Sequence, residues 1–151
     1  MRLDDLMTRK EQAIELFKKQ FNCSQAVFTA YRQKDVLSEH DALKLSTIFG
    51  AGVACTGNGP CGALSGALMA ISMHHGRGDL ESVEAKGKTY VLGQQLLAEF
   101  KERMGAPACE TIIGINIGTP ENLALAREQK LFETRCVDAV KTACDILDKI
   151  L

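Results

Sequence analysis

The 151-residue chain is poor in aromatic residues, which make up 5% of it, and Thr, Val and aromatics nowhere cluster between turns as they do in strands. That excludes a β-rich fold. Charge of one sign is also missing, since 18 Lys and Arg against 19 Asp and Glu leave a net −1 at pH 7. With neither a basic excess nor basic residues interleaved with aromatics, nucleic acid and anionic lipid are excluded as partners. No apolar run is long enough for a membrane. The longest weakly polar stretch, Ala63 to Met73, is about half the ~20 residues that cross a bilayer as a helix. The N-terminal MRLDDLMTRKEQAIELFKKQ lacks an apolar core and a small-residue cleavage site, so a cytoplasmic protein is expected. No repeat, low-complexity tract or linker interrupts the chain, which reads as a single domain over residues 1–151.

Familiar signatures are missing too. No pair of cysteines forms CxxC, which removes thioredoxin-like and zinc-ribbon sites. Gly57, Gly59 and Gly62 match GxGxxG but follow a helical pattern rather than a strand, so a dinucleotide fold is excluded. The glycine spacing from Gly52 to Gly57 imitates a phosphate loop without its Lys and Ser or Thr. A hydrolase triad has no nucleophile elbow to sit on.

What is present is apolar periodicity at three and four, which predicts an all-α bundle of six to seven helices with a buried central helix. The first helix is expected over about Leu3 to Lys19, and the second from Cys23 to about Gln33, capped by Asn22, with Ala26, Val27, Ala30 and Tyr31 inward. Ser38 opens a third, with Leu45, Ile48 and Phe49 facing the core. Pro60 suits the first position of a fourth, Cys61 to about His74, which is uncharged all round and is therefore taken as the central helix. A fifth should cover Leu80 to Met104 with a stripe at Val83, Tyr90, Leu97, Phe100 and Met104. Cys109 to Ile113 makes a short turn, another helix starts at Pro120, and Val137, Val140, Cys144, Leu147 and Leu151 mark a packed last helix.

Six cysteines in a chain that can bury a core without disulfides need another explanation. Cys23, Cys61 and Cys109 fall in first turns of predicted helices, and Cys136 joins them if Thr134 caps a separate last helix. A helix start offers free N–H groups and about half a positive charge, which stabilises a thiolate or an anionic metal–thiolate cluster. Cys144 lies on an apolar stripe and reads as a small buried hydrophobe. Cys55, six residues before Cys61 in a glycine loop, could close a disulfide with it.

Between Lys44 and Arg77 no Lys, Arg, Asp or Glu occurs, and six glycines crowd residues 50–66. Gly62 and Gly66 give the fourth helix a smooth face for close approach, while Gly57 and Gly59 could wrap a cofactor or simply turn. All four are the candidate cofactor-binding glycines. His74 and His75 end that helix, where an imidazolium meets its last carbonyls; a ligand or proton-relay role is the alternative.

The order of NCSQAV at Cys23, CGALSGALM at Cys61, APACETIIG at Cys109 and CVDAVKTACDIL at Cys136 resembles the C_GCAxxG_C_C family, named for its cysteine pattern. The likeness runs from about Leu16 to Leu147. This chain reads Cys61, Gly62, Ala63 where the family name reads Gly, Cys, Ala. The resemblance implies a small helical protein with redox activity carried by Cys23, Cys61, Cys109 and Cys136, working with an unidentified redox partner protein. A related domain in some multihaem electron-transfer proteins is associated with an iron–sulfur centre, though this chain has no CxxCH for haem.

Two chemistries suit four converging thiolates. One is a bound iron–sulfur cluster. The other makes Cys61 a low-pKa thiolate that forms a reversible disulfide with Cys23, Cys109 or Cys55. The competing reading is a helical binding or structural protein, as a monomer or homodimer, whose cysteines fill its core or hold a structural zinc.

Overall fold

The computed structural model describes residues 3–151, and among them the regular secondary structure is all helical, with one isolated β-bridge between Pro60 and Ala108. Eight α-helices follow in order: α1 Arg9–Lys18, α2 Cys23–Tyr31, α3 Glu39–Ser46, α4 Gly62–His75, α5 Val83–Met104, α6 Cys109–Ile113, α7 Pro120–Glu128 and α8 Val137–Ile150. The all-α expectation holds, with one helix more than the upper count.

Side-chain caps fix half of the starts. A single 3₁₀ turn, Leu3–Leu6, stands where the first helix was expected to begin, because Thr8 and Glu11 close a capping box that starts α1 at Arg9. Asn22 and Gln25 do the same for α2: the Asn22 side chain accepts from the Gln25 N–H at 2.9 Å, and Gln25 Oε1 accepts from the Asn22 N–H at 2.9 Å. Thr119 caps α7 with Pro120 at its first position. Gly105, at φ +85°, ends α5 in the left-handed conformation that glycine tolerates.

The middle of the bundle is shared by α2 and α4. Every residue of α2 except Gln25 is buried, and α4 buries Gly62, Ala63, Leu64, Gly66, Ala67, Ala70 and Ile71. Their backbones nearly touch. A Cβ placed on Gly66 would lie 2.6 Å from the Ser24 carbonyl oxygen and 3.2 Å from the Phe28 nitrogen, so glycine here permits the approach. On the far side, α8 packs Val140, Cys144, Ile146 and Leu147 inward. The Tyr31 hydroxyl donates to Asp148 Oδ1 at 2.8 Å, which pins α2 to α8. Lys10 and Arg103 both reach Asp145, and Lys149 reaches Glu99, at 2.6, 3.1 and 2.6 Å. Such part-exposed pairs are worth at most about 1 kcal/mol each.

Four expectations are corrected. Leu45 and Ile48, taken as inward, are 60% and 56% exposed, and Phe49 is exposed as well. The small residues Ala42 and Ser46 turn inward instead, while Gln25 donates to the Leu43 carbonyl and the Thr47 hydroxyl, holding α3 tightly on α2. In α5 the residues Val83, Tyr90 and Leu97 are exposed, while Leu96 and Phe100 are buried. A strict seven-residue spacing drifts by about 20° per heptad around a straight helix, so the stripe leaves the core. Helix α5 also starts at Val83, because Asp79 accepts from the Ser82 N–H at 2.7 Å. Finally, Pro60 precedes the N-cap of α4, which is Cys61 itself.

The two kinds of helix glycine separate in unfolding measurements. Gly66→Ala should lower stability by about 1–3 kcal/mol through overpacking. Gly87→Ala, with no heavy atom within 4 Å of the new Cβ, should raise it by about 0.5–1 kcal/mol. Urea midpoints of the two variants against the parent check both signs.

Candidate functional site

Cys23 is the first residue of α2 and Cys61 caps α4, so the crossing of these helices brings two sulfurs together at two helix starts. Both are buried, at 8% and 5% exposure. The Pro60–Ala108 bridge aligns a third. The Cys61 N–H donates to the Pro107 carbonyl at 2.8 Å and the Cys109 N–H to the Gly59 carbonyl at 3.0 Å, which sets the starts of α4 and α6 side by side.

The two thiols interact directly. The Cys61 S–H donates to the Cys23 sulfur and, against the cost of burial, brings Cys23 down from 9.0 to about 7, with further help from the N–H groups of Ala51, Ser24 and Ala63. Cys61 moves the other way. Its bond to Cys23, its burial and the charge on Cys23 all push it well above the ordinary thiol range, and the Ala63 and Leu64 N–H groups only moderate this. The expectation put the lowered pKa on Cys61; within the pair the lowering falls on Cys23. Cys23 collects donors from α2, α4 and the intervening loop, whereas the N–H groups around Cys61 come from α4 alone.

Residues 21–150 match the family model described as "Putative redox-active protein (C_GCAxxG_C_C)". The chain belongs to this C_GCAxxG_C_C family. No curated protein and no solved structure matches it.

The other C_GCAxxG_C_C cysteines are neutral thiols in the charge field of Cys23. Burial pushes Cys109 up to about 12, followed by the charges of Cys23, Cys55 and Glu110. Burial also raises Cys136, followed by Cys23, Cys109 and Glu133. The expected helix-start activation fails at both. Helix α6 has only five residues, and Cys136 closes a π-helical turn, Phe132–Cys136, that runs straight into α8. Thr134 does not cap a new helix: its hydroxyl donates back to the Lys130 carbonyl at 3.0 Å. All six cysteines are free thiols, and among the described residues no three His, Cys, Asp or Glu side chains converge closely enough to hold a metal ion. Cys144, fully buried and raised to about 12 chiefly by burial, packs in the core as expected.

The loop between α3 and α4 holds what the sequence concealed. Ala51, Gly52, Val53, Ala54 and Cys55 all have φ between +53° and +72°, a short left-handed turn made mostly of L-residues. Each non-glycine there costs roughly 1–2 kcal/mol. Backbone bonds from Ala54 to Ile48, Gly57 to Ala51 and Gly59 to Gly52, at 2.7, 3.0 and 2.9 Å, hold the turn in place. The turn delivers the Ala51 N–H to Cys23 and leaves Cys55 exposed, apart from the buried pair.

The four candidate glycines are pressed against protein. A Cβ on Gly57 would meet Asn116 at 2.9 Å, one on Gly59 the Gly52 carbonyl oxygen at 2.7 Å, and those on Gly62 and Gly66 would meet α2. His74 and His75 sit at the opposite end of α4, about 20 Å away at 1.5 Å per residue. The His74 Nε2 lies 2.7 Å from the Tyr31 carbonyl and donates to the end of α2. Burial, then Lys88 and His74, holds His75 below its ordinary range.

A thiolate that folding stabilises makes stability depend on pH. Cys23 falls from 9.0 unfolded to about 7 folded, so its contribution should be complete above pH 9 and fade as pH drops through 7. The raised thiols Cys61, Cys109 and Cys144 act oppositely above pH 9, where only the unfolded chain ionises. Melting temperature should thus rise from pH 7 to 9 and fall beyond, and Cys23→Ser should remove the rise. A second outcome concerns the strained turn: Ala54→Gly, at an exposed position with φ +53°, should stabilise by about 1 kcal/mol in chemical denaturation.

Proposed function

We propose that Cys23 and Cys61 form a two-electron dithiol/disulfide centre. The observation that carries this is a buried pair of sulfurs at two helix starts, with the Cys61 S–H and three backbone N–H groups aimed at Cys23. In the exchange, the Cys23 thiolate attacks one sulfur of a substrate disulfide, forming a mixed disulfide and releasing the other half as a thiolate. Cys61 then gives its proton to a departing thiolate and attacks the Cys23 sulfur, expelling the second half. Two electrons pass from the pair to the substrate, which leaves as one thiol and one thiolate while Cys23–Cys61 becomes a disulfide. A redox partner protein carrying a dithiol would restore the pair by the reverse steps.

A second reading, an iron–sulfur or zinc centre on Cys23, Cys61, Cys109 and Cys136, draws support from the reach of the Cys23 charge to Cys109 and Cys136. The residues as placed do not fit it, because no three of them converge to a ligating distance. A helical protein whose cysteines only fill the core is the third reading. The paired charge state of Cys23 and Cys61 argues against that.

Purification without oxygen, metal analysis and oxidation by a small disulfide separate the three. The expected result is a colourless, metal-poor protein in which peptide mapping finds a Cys23–Cys61 linkage. Cys61→Ser should stop at the mixed disulfide on Cys23, and Cys23→Ser should abolish the reaction. Stoichiometric iron or zinc lost on Cys109→Ser would replace the thiol reading with a metal centre. Six thiols inert to the oxidant would leave core packing.

A further inference from the structure

We propose that Gly62 is a positioning residue: the space left by its missing side chain is the seat of the Cys23 sulfur. This rests on the dithiol reading and adds the residue that sets the pair's geometry. A Cβ on Gly62 would collide first with Cys23 Sγ; its next neighbours are the Ser24 nitrogen at 3.1 Å and the Gly50 Cα at 3.2 Å. The two backbone atoms need to give by only a few tenths of an ångström. The sulfur has to leave.

Its exit is a rotation about the Cys23 Cα–Cβ bond, which leaves the helices in place. That rotation carries the sulfur away from the Cys61 S–H and the Ala51 and Ala63 N–H groups that now surround it. Gly66, one turn further along α4, is different. Its Cβ would meet only backbone, the Ser24 carbonyl and the Phe28 nitrogen, and no side-chain rotation can relieve that. Two glycines four residues apart on one helix face thus do separate work. Gly66 permits the helices to touch, and Gly62 decides where the thiolate sits.

The test is a set of Gly62→Ala, Cys23→Ala and the double variant, with unfolding temperature and far-ultraviolet thiolate absorbance against pH as readouts. In Gly62→Ala the thiolate midpoint should climb from about 7 towards 9. At pH 7 the ionised fraction would then fall from about one half to a few hundredths. The loss of unfolding temperature caused by Gly62→Ala should shrink or vanish when Cys23 is already Ala, because the colliding atom is gone. If Gly62→Ala alone fails to fold, the double variant should fold. An equal loss in both backgrounds, an unfolded double variant, or an unmoved midpoint in a folded Gly62→Ala would overturn the proposal. A parent protein with no thiol titrating below 9 would remove the thiolate from the functional reading, and the stability comparison would still decide the Gly62 contact on its own.

Discussion

A negative charge withdrawn from water has to be met by dipoles, and this requirement organises the centre of the molecule. The groups that lower Cys23 are hydrogen-bond donors rather than cationic side chains. The Cys61 S–H is the first of them, and the backbone supplies the rest through N–H groups of α2, α4 and the left-handed turn that have no internal use. Removing a donor from such a buried acceptor costs about 1–3 kcal/mol, more where the acceptor is charged. The approach of α2 to α4, the absence of a side chain at Gly62 and Gly66, and the strained turn at Ala51 all serve the same set of bonds.

Glycine and strain here answer one geometric problem. Two helices whose N-terminal ends meet can share an anion only if their backbones come nearer than side chains normally allow, which Gly66 permits against Ser24 and Phe28. The chain between α3 and α4 must then reverse sharply enough to bring a third N–H to the same point. The left-handed run from Ala51 to Cys55 does this, at a cost that the surrounding hydrogen bonds over-determine.

Much of the fold was legible because local chemistry decided it. Asn22, Thr119 with Pro120, and Gly105 each set a boundary by a mechanism that needs no tertiary partner, and α8 announced its buried face at three- and four-residue steps. Where packing outvoted pattern, the reading failed. Leu45 and Ile48 look like core residues, yet Ala42 and Ser46 take the inward face because α3 lies too close to α2 for anything larger. The cysteine pair was legible by the helix starts, but which member carries the charge was not. That depends on the Ala51 N–H, and Val53 and Ala54 are residues whose preferences oppose the conformation that delivers it. The charge field linking Cys109 and Cys136 to Cys23 also arises only from tertiary placement.

The burial of Cys23 and Cys61 has a kinetic consequence. A bulky oxidant cannot collide with a sulfur that is enclosed, so its encounter waits on transient opening of the covering backbone, while a small one diffuses in. In the proposed dithiol centre the pair would therefore discriminate by size before it discriminates by potential. Its clock is set by local breathing of the loop, and nucleophilicity matters only once the door is ajar.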